Sequence, residues 1–231
     1  MNRWDYGGAY LEYPIQEGEV AVFDNGSKVA VHDISNPLPD FMYEADIIFV
    51  DPPWNLGNIN SFYTKAGRSD YLEDFTRFYK RLFVCIGEIR PKVCYVEVGK
   101  EHLADFIFEM RKLYKKVTFY NSTYYHNRNK LCYVIRGSEK YKKLPLDYMD
   151  EEDIIAWVCE NEDYNVIGDL CIGQGLVAVH AYKNGRRFVG TEINPKRVSV
   201  LIKRVVSLGA TYRIEKVKQE YTIQKDLFER R

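Results

Sequence analysis

The amino-acid sequence predicts an α/β protein with a mostly parallel β-sheet and helices on both faces. Short runs of β-branched and aromatic residues alternate with longer segments in which apolar residues recur at three- and four-residue spacings. Such alternation is typical of a parallel sheet that is covered by helices on both sides. With 231 residues, 46% of them hydrophobic and 29% charged, the chain resembles one soluble globular domain in size and composition, and we expect that domain to span residues 1–231.

The pattern predicts seven strands and five helices. The strands are 29–32, 46–50, 93–98, 117–125, 131–135, 166–171 and 187–191. The helices are 70–87, 100–115, 150–161, 175–184 and 195–208. Asp150 is a suitable N-cap for the helix that follows it, and Gly209 is a suitable residue for ending the last helix.

Three connecting regions depart from the regular alternation. Strands 117–125 and 131–135 are separated only by residues 126–130, so we expect an antiparallel hairpin there. Residues 55–68 are polar and contain two glycines, which predicts a mobile loop, either over a pocket or without a role. Residues 1–28 are rich in aromatic side chains and are expected to pack on the core, with nucleic-acid or oligomer contacts as alternatives.

The composition argues against several classes of protein. Five cysteines are scattered without a Cys-x-x-Cys pair, so we expect reduced thiols and no metal site. The chain has no apolar run of about 18 residues, and its first residues lack an apolar signal core. Membrane insertion and export are therefore not expected, and the predicted location is the cytoplasm. The formal net charge is zero, so the whole molecule is not a general polyanion binder.

A catalytic motif is predicted at Asp51-Pro52-Pro53-Trp54, directly after an apolar run. The two prolines remove two backbone donors and favour extended backbone, so the turn presents carbonyl oxygens. Asp51 and the Pro52 carbonyl can accept hydrogen bonds from an amine on a nucleobase, whose lone pair must be localised before it attacks. Trp54 offers a stacking face. A strand that simply ends in a proline turn is the alternative.

A second pattern, near the other end of the chain, predicts a nucleotide-binding turn. A strand that ends near Asp169 is followed by Gly173-Gln174-Gly175 and then by a helix, and these glycines let the backbone approach a ligand closely. The next strand ends near Glu192, which lies 19 residues beyond Gly173. An acid at a spacing of roughly 20 residues binds a nucleotide ribose in such units. An ordinary βαβ unit with a C-terminal acid remains the alternative.

Together these motifs resemble those of the amino-methyltransferases that methylate adenine N6 or cytosine N4 with S-adenosylmethionine. Their catalytic motif, Asp-Pro-Pro followed by an aromatic, is matched at residues 51–54. Their cofactor motif, Asp-Pro-Phe-x-Gly-x-Gly, is similar to residues 169–175, where Leu and Cys replace Pro and Phe. Their Gly-x-Glu-x-Asn-Pro is matched at residues 190–195. The motif order is similar to that of the permuted class called beta, and the resemblance covers roughly residues 29–206. It implies a Rossmann-like methyltransferase fold with the hairpin at one edge.

The resemblance also implies roles for individual residues. The catalytic group would be Asp51, Pro52, Pro53 and Trp54, with Trp54 stacking on the base. The residues that would bind the cofactor are Asp33, Asp51, Asp169, Cys171, Gly173, Gly175, Glu192 and Asn194. Glu192 would bind the ribose hydroxyls, and Asp169 would lie near the methionine end. Asp33 matches an acid that lies near the cofactor's adenine in the family, but a simple turn residue is equally compatible with the sequence.

Adenine N6 in DNA is the predicted substrate, because in the resembling family Asp at the first catalytic position is more usual for adenine and Ser for cytosine. Cytosine N4 in DNA and adenine N6 in RNA stay open as substrates. The RNA alternative rests on Trp54, which is similar to the residue found in RNA adenine methyltransferases. A catalytically silent nucleic-acid-binding subunit of such an enzyme is also open, since no separate target-recognition domain is evident. A homodimer or a partner subunit would enlarge the nucleic-acid surface.

Basic residues cluster between His126 and Lys143, where only Glu139 opposes them. The predicted contacts to nucleic acid are Arg128, Lys130, Lys140, Lys142 and Lys143. The following segment, 144–169, contains nine acids and no lysine or arginine. This segregation is compatible with a basic face beside the pocket, and a solvated hairpin is the alternative.

Overall fold

The computed structural model describes residues 3–69, 72–124 and 126–216, and these ranges form one ten-stranded sheet. The strands are β1 (Glu19–Phe23), β2 (Lys28–Val31), β3 (Ile47–Val50), β4 (Val93–Val98), β5 (Lys116–Tyr124), β6 (Asn127–Ser138), β7 (Met149–Asp150), β8 (Val166–Asp169), β9 (Arg187–Glu192) and β10 (Tyr212–Lys216). The α-helices are α1 (Ala9–Glu12), α2 (Leu56–Lys65), α3 (Phe75–Ile89), α4 (Leu103–Leu113), α5 (Glu151–Asn161), α6 (Leu176–Lys183) and α7 (Pro195–Val206). The order across the sheet is β10-β1-β2-β9-β8-β3-β4-β6-β5-β7.

The centre of the sheet is parallel. Strands β2, β9, β8, β3 and β4 pair with one another in parallel, so their carboxyl ends lie at one edge. From β8 the chain passes through α6 to β9 on one side, whereas from β3 it passes through α2 and α3 to β4 on the other side. A reversal of this kind creates a crevice outside the carboxyl ends of the two central strands. The order of the strands therefore places a ligand site beside the ends of β3 and β8.

Two apolar clusters cover the two faces of the sheet. One includes side chains of α3 and α4, such as Phe106, and the other includes side chains of α5, α6 and α7. Strand β3 contributes to both clusters, because successive side chains of a strand point to opposite faces. Phe49 belongs to the cluster under α5 to α7. The side chain of Asp51, two residues later, therefore points to the same face of the sheet as Phe49.

The five predicted helices are present as α3 to α7, with shifted ends. The helix predicted from residue 70 begins at Phe75, after Asp74, whose side chain accepts from the Thr76 N–H. Residues 70 and 71 lie outside the described ranges, as does the last residue of predicted strand 117–125. Asp150 caps α5 as predicted, because its side chain accepts from the backbone N–H of Glu152.

The prediction of seven strands is wrong in number, because β1, β7 and β10 are also present. Strand β10 pairs antiparallel with β1, and β1 pairs antiparallel with β2, so the sheet is also antiparallel at the edge opposite the hairpin. The hairpin of β5 and β6 is present, but β7 pairs outside it. Strand β7 has only two residues and β10 is mostly exposed, so neither carries the apolar alternation that identifies a strand.

The prediction of a loop over residues 55–68 is wrong for most of its length, because α2 occupies that segment. Asn55 caps the helix by accepting from the Asn58 N–H at 2.9 Å. Ile59 and Tyr63, one helical turn apart, are buried. Gly57 and the asparagines lower the intrinsic helix propensity of this segment, so tertiary burial decides its conformation.

The aromatic N-terminal segment packs on α7. Ala9 of α1 is buried. The Lys196 ammonium lies 4.8 Å from the centre of the Tyr10 ring, and Lys203 Nζ lies 3.1 Å from a Glu12 carboxylate oxygen. Packing of this segment on the core is thus confirmed for the residues around α1.

Other features concern thiols, membranes and metals. The five cysteines are free thiols, and four of them are buried. Among the helices in the described ranges, none is long and apolar enough to cross a membrane. Within those ranges, no group of three or more His, Cys, Asp or Glu side chains is arranged to hold a metal ion.

Candidate active site

The carboxyl edge of the parallel strands carries five acids. Asp33 follows β2, Glu192 ends β9, Asp169 ends β8, Asp51 follows β3, and Glu97 is the penultimate residue of β4. A cleft of about 830 Å³ runs along this edge, and all five acids line it. The predicted catalytic motif and the predicted glycine turn therefore meet in one cleft, at the neighbouring ends of β3 and β8.

The Asp51 side chain is positioned by its own motif. The indole N–H of Trp54 donates to Asp51 Oδ1 at 3.1 Å, and Pro52 and Pro53 also line the cleft. Burial raises the pKa of Asp51 to about 6, although the Trp54 hydrogen bond and the positive charge of Arg197 act in the opposite direction. Asp51 is therefore largely an ionised acceptor at neutral pH and can still receive a proton.

Trp54 packs against Tyr124, the last residue of β5. Their ring centroids are 5.0 Å apart and the ring planes are inclined by 60°. Trp54 also lies against the backbone of Gly99, where a Cβ atom would come within 2.9 Å of the indole ring. Two aromatic faces beside Asp51 suit a flat heterocycle. Nothing in the strand pattern around Tyr124 indicates that this residue reaches the cleft.

Glu97 lines the cleft but belongs to neither of the two predicted motifs. Its side chain is 0% exposed, and neither carboxyl oxygen has a hydrogen-bond partner in the described part of the chain. Burial raises its pKa well above the ordinary value, and the nearby Asp51 carboxyl raises it further. The Cys132 thiol has an opposing influence on this pKa, but makes no hydrogen bond of normal geometry to Glu97. A charged residue within an otherwise apolar strand is the sequence signal that could have identified it.

The glycine turn has the conformation that its sequence suggests. Gly173 and Gly175 have φ values of 55° and 82°, which residues other than glycine rarely adopt. A Cβ atom on Gly173 would lie 2.6 Å from Arg197 Nη2, and one on Gly175 would lie 2.5 Å from Leu201 Cγ. Glycine at both positions therefore keeps the backbone close to the cleft and to α7.

Asp169 and Cys171 form the part of the cleft beside this turn. Asp169 is buried and accepts from the backbone N–H of Cys171 at 2.9 Å. Burial raises the pKa of Asp169 well above its ordinary value, and the Cys171 N–H opposes that shift. Burial also raises the pKa of the Cys171 thiol, so this side chain forms a neutral wall and not a reactive thiolate.

Glu192 forms an ion pair with Arg197, a residue that the sequence analysis does not identify. Arg197 Nη1 lies 3.3 Å from Glu192 Oε2, and the backbone N–H of Asn194 donates to Glu192 Oε1 at 2.9 Å. The Arg197 guanidinium also lies 5.0 Å from the centre of the Phe62 ring. A ribose that binds Glu192 must therefore share this carboxylate with Arg197 or displace it.

Asp33 is both a turn residue and part of the cleft lining. Its carboxylate accepts from the backbone N–H of Ser35 at 2.9 Å, as a turn residue does. The same side chain lines the cleft, where Arg68 Nη1 lies 3.0 Å from Oδ2 and the Tyr63 hydroxyl donates to Oδ2 at 3.4 Å. Tyr63 belongs to α2, so this helix helps to build the cleft.

The structure does not bring the Asn194 side chain into the cleft. Its Oδ1 accepts from the Lys196 N–H at 3.0 Å and caps α7, while its Nδ2 donates to the Lys65 carbonyl at 3.1 Å. Both ends of the amide are therefore used to join α7 to the end of α2. Cofactor binding by Asn194 stays a prediction.

The predicted basic face is divided by the length of β6. The register places Tyr133 beside Val98, at the cleft edge, and Ser138 beside Val93, at the opposite edge. By backbone position, Arg128 and Lys130 lie on the cleft side. Lys140, Lys142 and Lys143 follow the opposite end of β6, and Lys142 Nζ lies 3.5 Å from Glu162. The prediction of a single basic face beside the pocket is therefore wrong for Lys140, Lys142 and Lys143.

Comparison with solved structures identifies similar folds. A candidate DNA modification methylase from Thermus thermophilus has a TM-score of 0.56 at 15% sequence identity, covering 78% of this chain and 94% of its own. The same protein complexed with S-adenosyl-L-methionine has a TM-score of 0.54 at 14% identity, covering 78% and 93%. M1.HpyAVI complexed with SAM has a TM-score of 0.53 at 10% identity, covering 77% and 98%. The protein therefore has a Rossmann-like methyltransferase fold, as the sequence predicts.

No protein-family model matches the sequence, and no curated protein matches it.

Proposed function

We propose that the protein transfers a methyl group from S-adenosylmethionine to the exocyclic amine of a nucleobase, and that the substrate is adenine N6 in DNA. The observation that carries this proposal is that Asp51-Pro52-Pro53-Trp54 and the Gly173-to-Gly175 turn lie at neighbouring strand ends in one cleft. A methyl donor and its acceptor must be held next to each other to react. Similar folds are found in a candidate DNA modification methylase and in complexes with S-adenosylmethionine.

The residues at the β8 and β9 end of the cleft fit the proposed cofactor. Gly173 and Gly175 allow a close backbone approach, and Glu192 offers acceptors for ribose hydroxyls. Asp33 lies at the next strand end and would face the adenine. The buried Asp169 carboxyl suits a positively charged group, because ionisation there is stabilised when a cation arrives. When bound, S-adenosylmethionine would supply an electrophilic methyl carbon on a positively charged sulfur.

The residues at the β3 end fit the proposed acceptor. Asp51 and the Pro52 carbonyl would accept from the hydrogens of the target amine, which localises the nitrogen lone pair. An aromatic amine becomes acidic only as positive charge forms on nitrogen, so Asp51 can orient it first and receive the proton late. The Trp54 hydrogen bond to Oδ1 keeps the Asp51 carboxylate oriented for both tasks.

Access to this site requires a base outside a duplex stack. Asp51 lies in a cleft at the edge of the sheet, which a paired base within a helix cannot enter. The base would therefore be flipped out of a duplex or presented on a single strand. Trp54 and Tyr124 supply aromatic faces for it, beside the acceptors.

One experiment tests the proposal and its alternatives together. The purified protein is incubated with labelled S-adenosylmethionine and with duplex DNA, single-stranded DNA or RNA, and the methylated nucleoside is identified by mass spectrometry. We expect N6-methyladenine in DNA. N4-methylcytosine would reassign the base, and methylated RNA would reassign the nucleic acid. Cofactor binding without transfer to any substrate would indicate a catalytically silent subunit, and absence of cofactor binding by calorimetry would contradict the proposal.

A further inference from the structure

Glu97 is a buried carboxyl group beside the proposed amine site, and the reaction described above does not use it. The sheet register pairs Val50 with Val96, so the next residues, Asp51 and Glu97, are neighbours on adjacent strands. Adjacent strands are about 4.8 Å apart, and side chains at the same level point to the same face. Glu97 therefore lies within reach of the ring atoms next to an amine that is held by Asp51.

The surroundings of Glu97 favour the neutral acid. The titratable groups that act on it are Asp51 from β3, Cys132 from β6, and Asp150 and Glu151 at the start of α5. No lysine or arginine forms an ion pair with it in the described ranges, and neither oxygen has a hydrogen-bond partner there. A buried, unpaired carboxylate costs much more free energy than a buried carboxylic acid, so the group keeps its proton.

A neutral carboxylic acid carries one donor and one acceptor, unlike a carboxylate, which only accepts. Adenine offers an acceptor, N1, beside the amine whose hydrogens Asp51 and the Pro52 carbonyl would accept. We infer that Glu97 is a specificity-determining residue whose neutral carboxyl group donates a hydrogen bond to the ring nitrogen beside the methylated amine, N1 of adenine. This inference rests on the proposed function.

The proposed contact would give Glu97 a hydrogen-bond partner, which it lacks in the described part of the chain. A buried donor without a partner is costly, and a bound adenine would supply the missing acceptor. Guanine is disfavoured by the same arrangement, because its N1 carries a hydrogen and cannot accept the proton of Glu97, and its O6, in the place of the amine, has no hydrogen to donate to Asp51.

The test compares base analogues in otherwise identical DNA substrates. Single-turnover methylation is measured on adenine, on 1-deazaadenine, which lacks the N1 acceptor, and on 7-deazaadenine, which keeps it. The proteins are the wild type, Glu97→Leu and Glu97→Gln. Each protein is judged by its ratio of rates on two bases, because this ratio cancels any effect of a substitution that is common to both bases. Comparing the ratio between proteins then cancels the difference in intrinsic amine reactivity between the two bases.

We expect the wild type to prefer adenine over 1-deazaadenine by roughly 10- to 100-fold, the discrimination typical of a good base contact. Glu97→Leu should lower this ratio to near one, whereas Glu97→Gln should keep it, because the amide N–H can donate to N1. The ratio for 7-deazaadenine should be the same in all three proteins. Equal cofactor affinity by calorimetry shows that the variants are folded.

Three results would overturn the inference. One is a wild-type ratio near one for 1-deazaadenine, which needs no variant and decides the matter even if Glu97→Leu does not fold. The second is an unchanged ratio in Glu97→Leu, and the third is a Glu97-dependent loss on 7-deazaadenine instead. If the wild type methylates no adenine at all, the proposed function fails and the inference fails with it. Methylation of adenine without N1 discrimination leaves the proposed function standing.

Discussion

The two ends of the cleft treat their acids differently. At the end formed by β2 and β9, Asp33 pairs with Arg68 at 3.0 Å and Glu192 pairs with Arg197 at 3.3 Å. At the end formed by β3 and β4, Asp51 and Glu97 have no salt bridge to lysine or arginine among the described residues. Burial raises the pKa of both of these acids. The first pair of acids is therefore tied to arginines, whereas the second pair is not.

This difference would suit the two unlike ligands of the proposed function. Ribose hydroxyls are donors that suit charged, well-oriented carboxylates, so an arginine that fixes such a carboxylate is useful there. A neutral heterocycle presents both donors and acceptors, so acids that can exist in either protonation state suit it better. Asp169 lies between the two ends and is buried with a raised pKa, so it belongs with the second group.

Replacement of Asp51 by alanine should have the largest effect. The transfer rate should fall by about 100- to 1,000-fold, the loss typical of a removed electrostatic contact at a reacting centre. Cofactor affinity should change little, because the paired end of the cleft is intact. Single-turnover rates and calorimetry measure the two quantities. Asp163→Ala, at a fully exposed acid outside the cleft, is the matched control. Turnover of Asp51→Ala at the wild-type rate would refute the catalytic assignment.

Replacement of Glu192 by alanine should mainly weaken cofactor binding, because Glu192 lies at the end of the cleft formed by β2 and β9. Loss of hydrogen bonds to a charged group should weaken cofactor binding by about 10- to 100-fold. It also leaves Arg197 without its 3.3 Å partner. The transfer rate at saturating cofactor should fall less than in Asp51→Ala. An unchanged dissociation constant by calorimetry would count against the ribose role.

The transfer rate should depend on pH through Asp51. The carboxylate accepts from the amine only when it is ionised, and burial raises its pKa to about 6. The single-turnover rate should therefore be constant above this value and fall roughly tenfold for each pH unit below it. The transition should disappear from the residual rate of Asp51→Asn. A rate that stays constant down to pH 5 would contradict the assignment.

Cofactor binding should release protons from the unpaired acids. The pKa of Asp169 is raised by burial in the free protein, and a positively charged ligand would lower it. Calorimetry in two buffers of different ionisation enthalpy should show release of up to about one proton. Asp169→Asn should reduce this release, whereas Asp33→Asn, at an acid paired with Arg68, should not. Equal binding enthalpies in the two buffers would argue against this account.

The smallest effect concerns the two ends of β6. Lys130→Ala, on the cleft side, should weaken DNA binding by up to about fivefold, as expected for one exposed charge. Lys140→Ala, at the opposite end of the strand, should have no measurable effect. Binding is compared by fluorescence anisotropy at two salt concentrations, because a lost phosphate contact also reduces the salt dependence. A larger effect of Lys140→Ala would place nucleic acid on the far side of the sheet.

Local sequence patterns predict much of this site, because its main acids follow strands. Asp51 and Glu192 directly follow predicted strands, Asp169 lies two residues before the end of predicted strand 166–171, and parallel pairing is enough to bring such ends to one edge. The left-handed conformations of Gly173 and Gly175 are likewise a local property. The single-domain organisation and the cytoplasmic location stay predictions.

Other residues could not be placed in this way. Helix α2 has weak intrinsic propensity and forms where Ile59 and Tyr63 can be buried. The partners of Glu192 and Asp33, which are Arg197 and Arg68, carry no motif that marks them. The position of Arg68 beside Asp33 depends on how α2 returns to the sheet, and no local pattern specifies that.

The sequence alone determined which residues end strands, which turns need glycine and which motif presents carbonyl oxygens, because these properties depend on neighbours in the chain. Only the tertiary structure decided which acids are paired and which stand alone. Burial sets the order of the strands and the positions of the helices. That order places Glu97 beside Asp51, and the position of α2 places Arg68 beside Asp33.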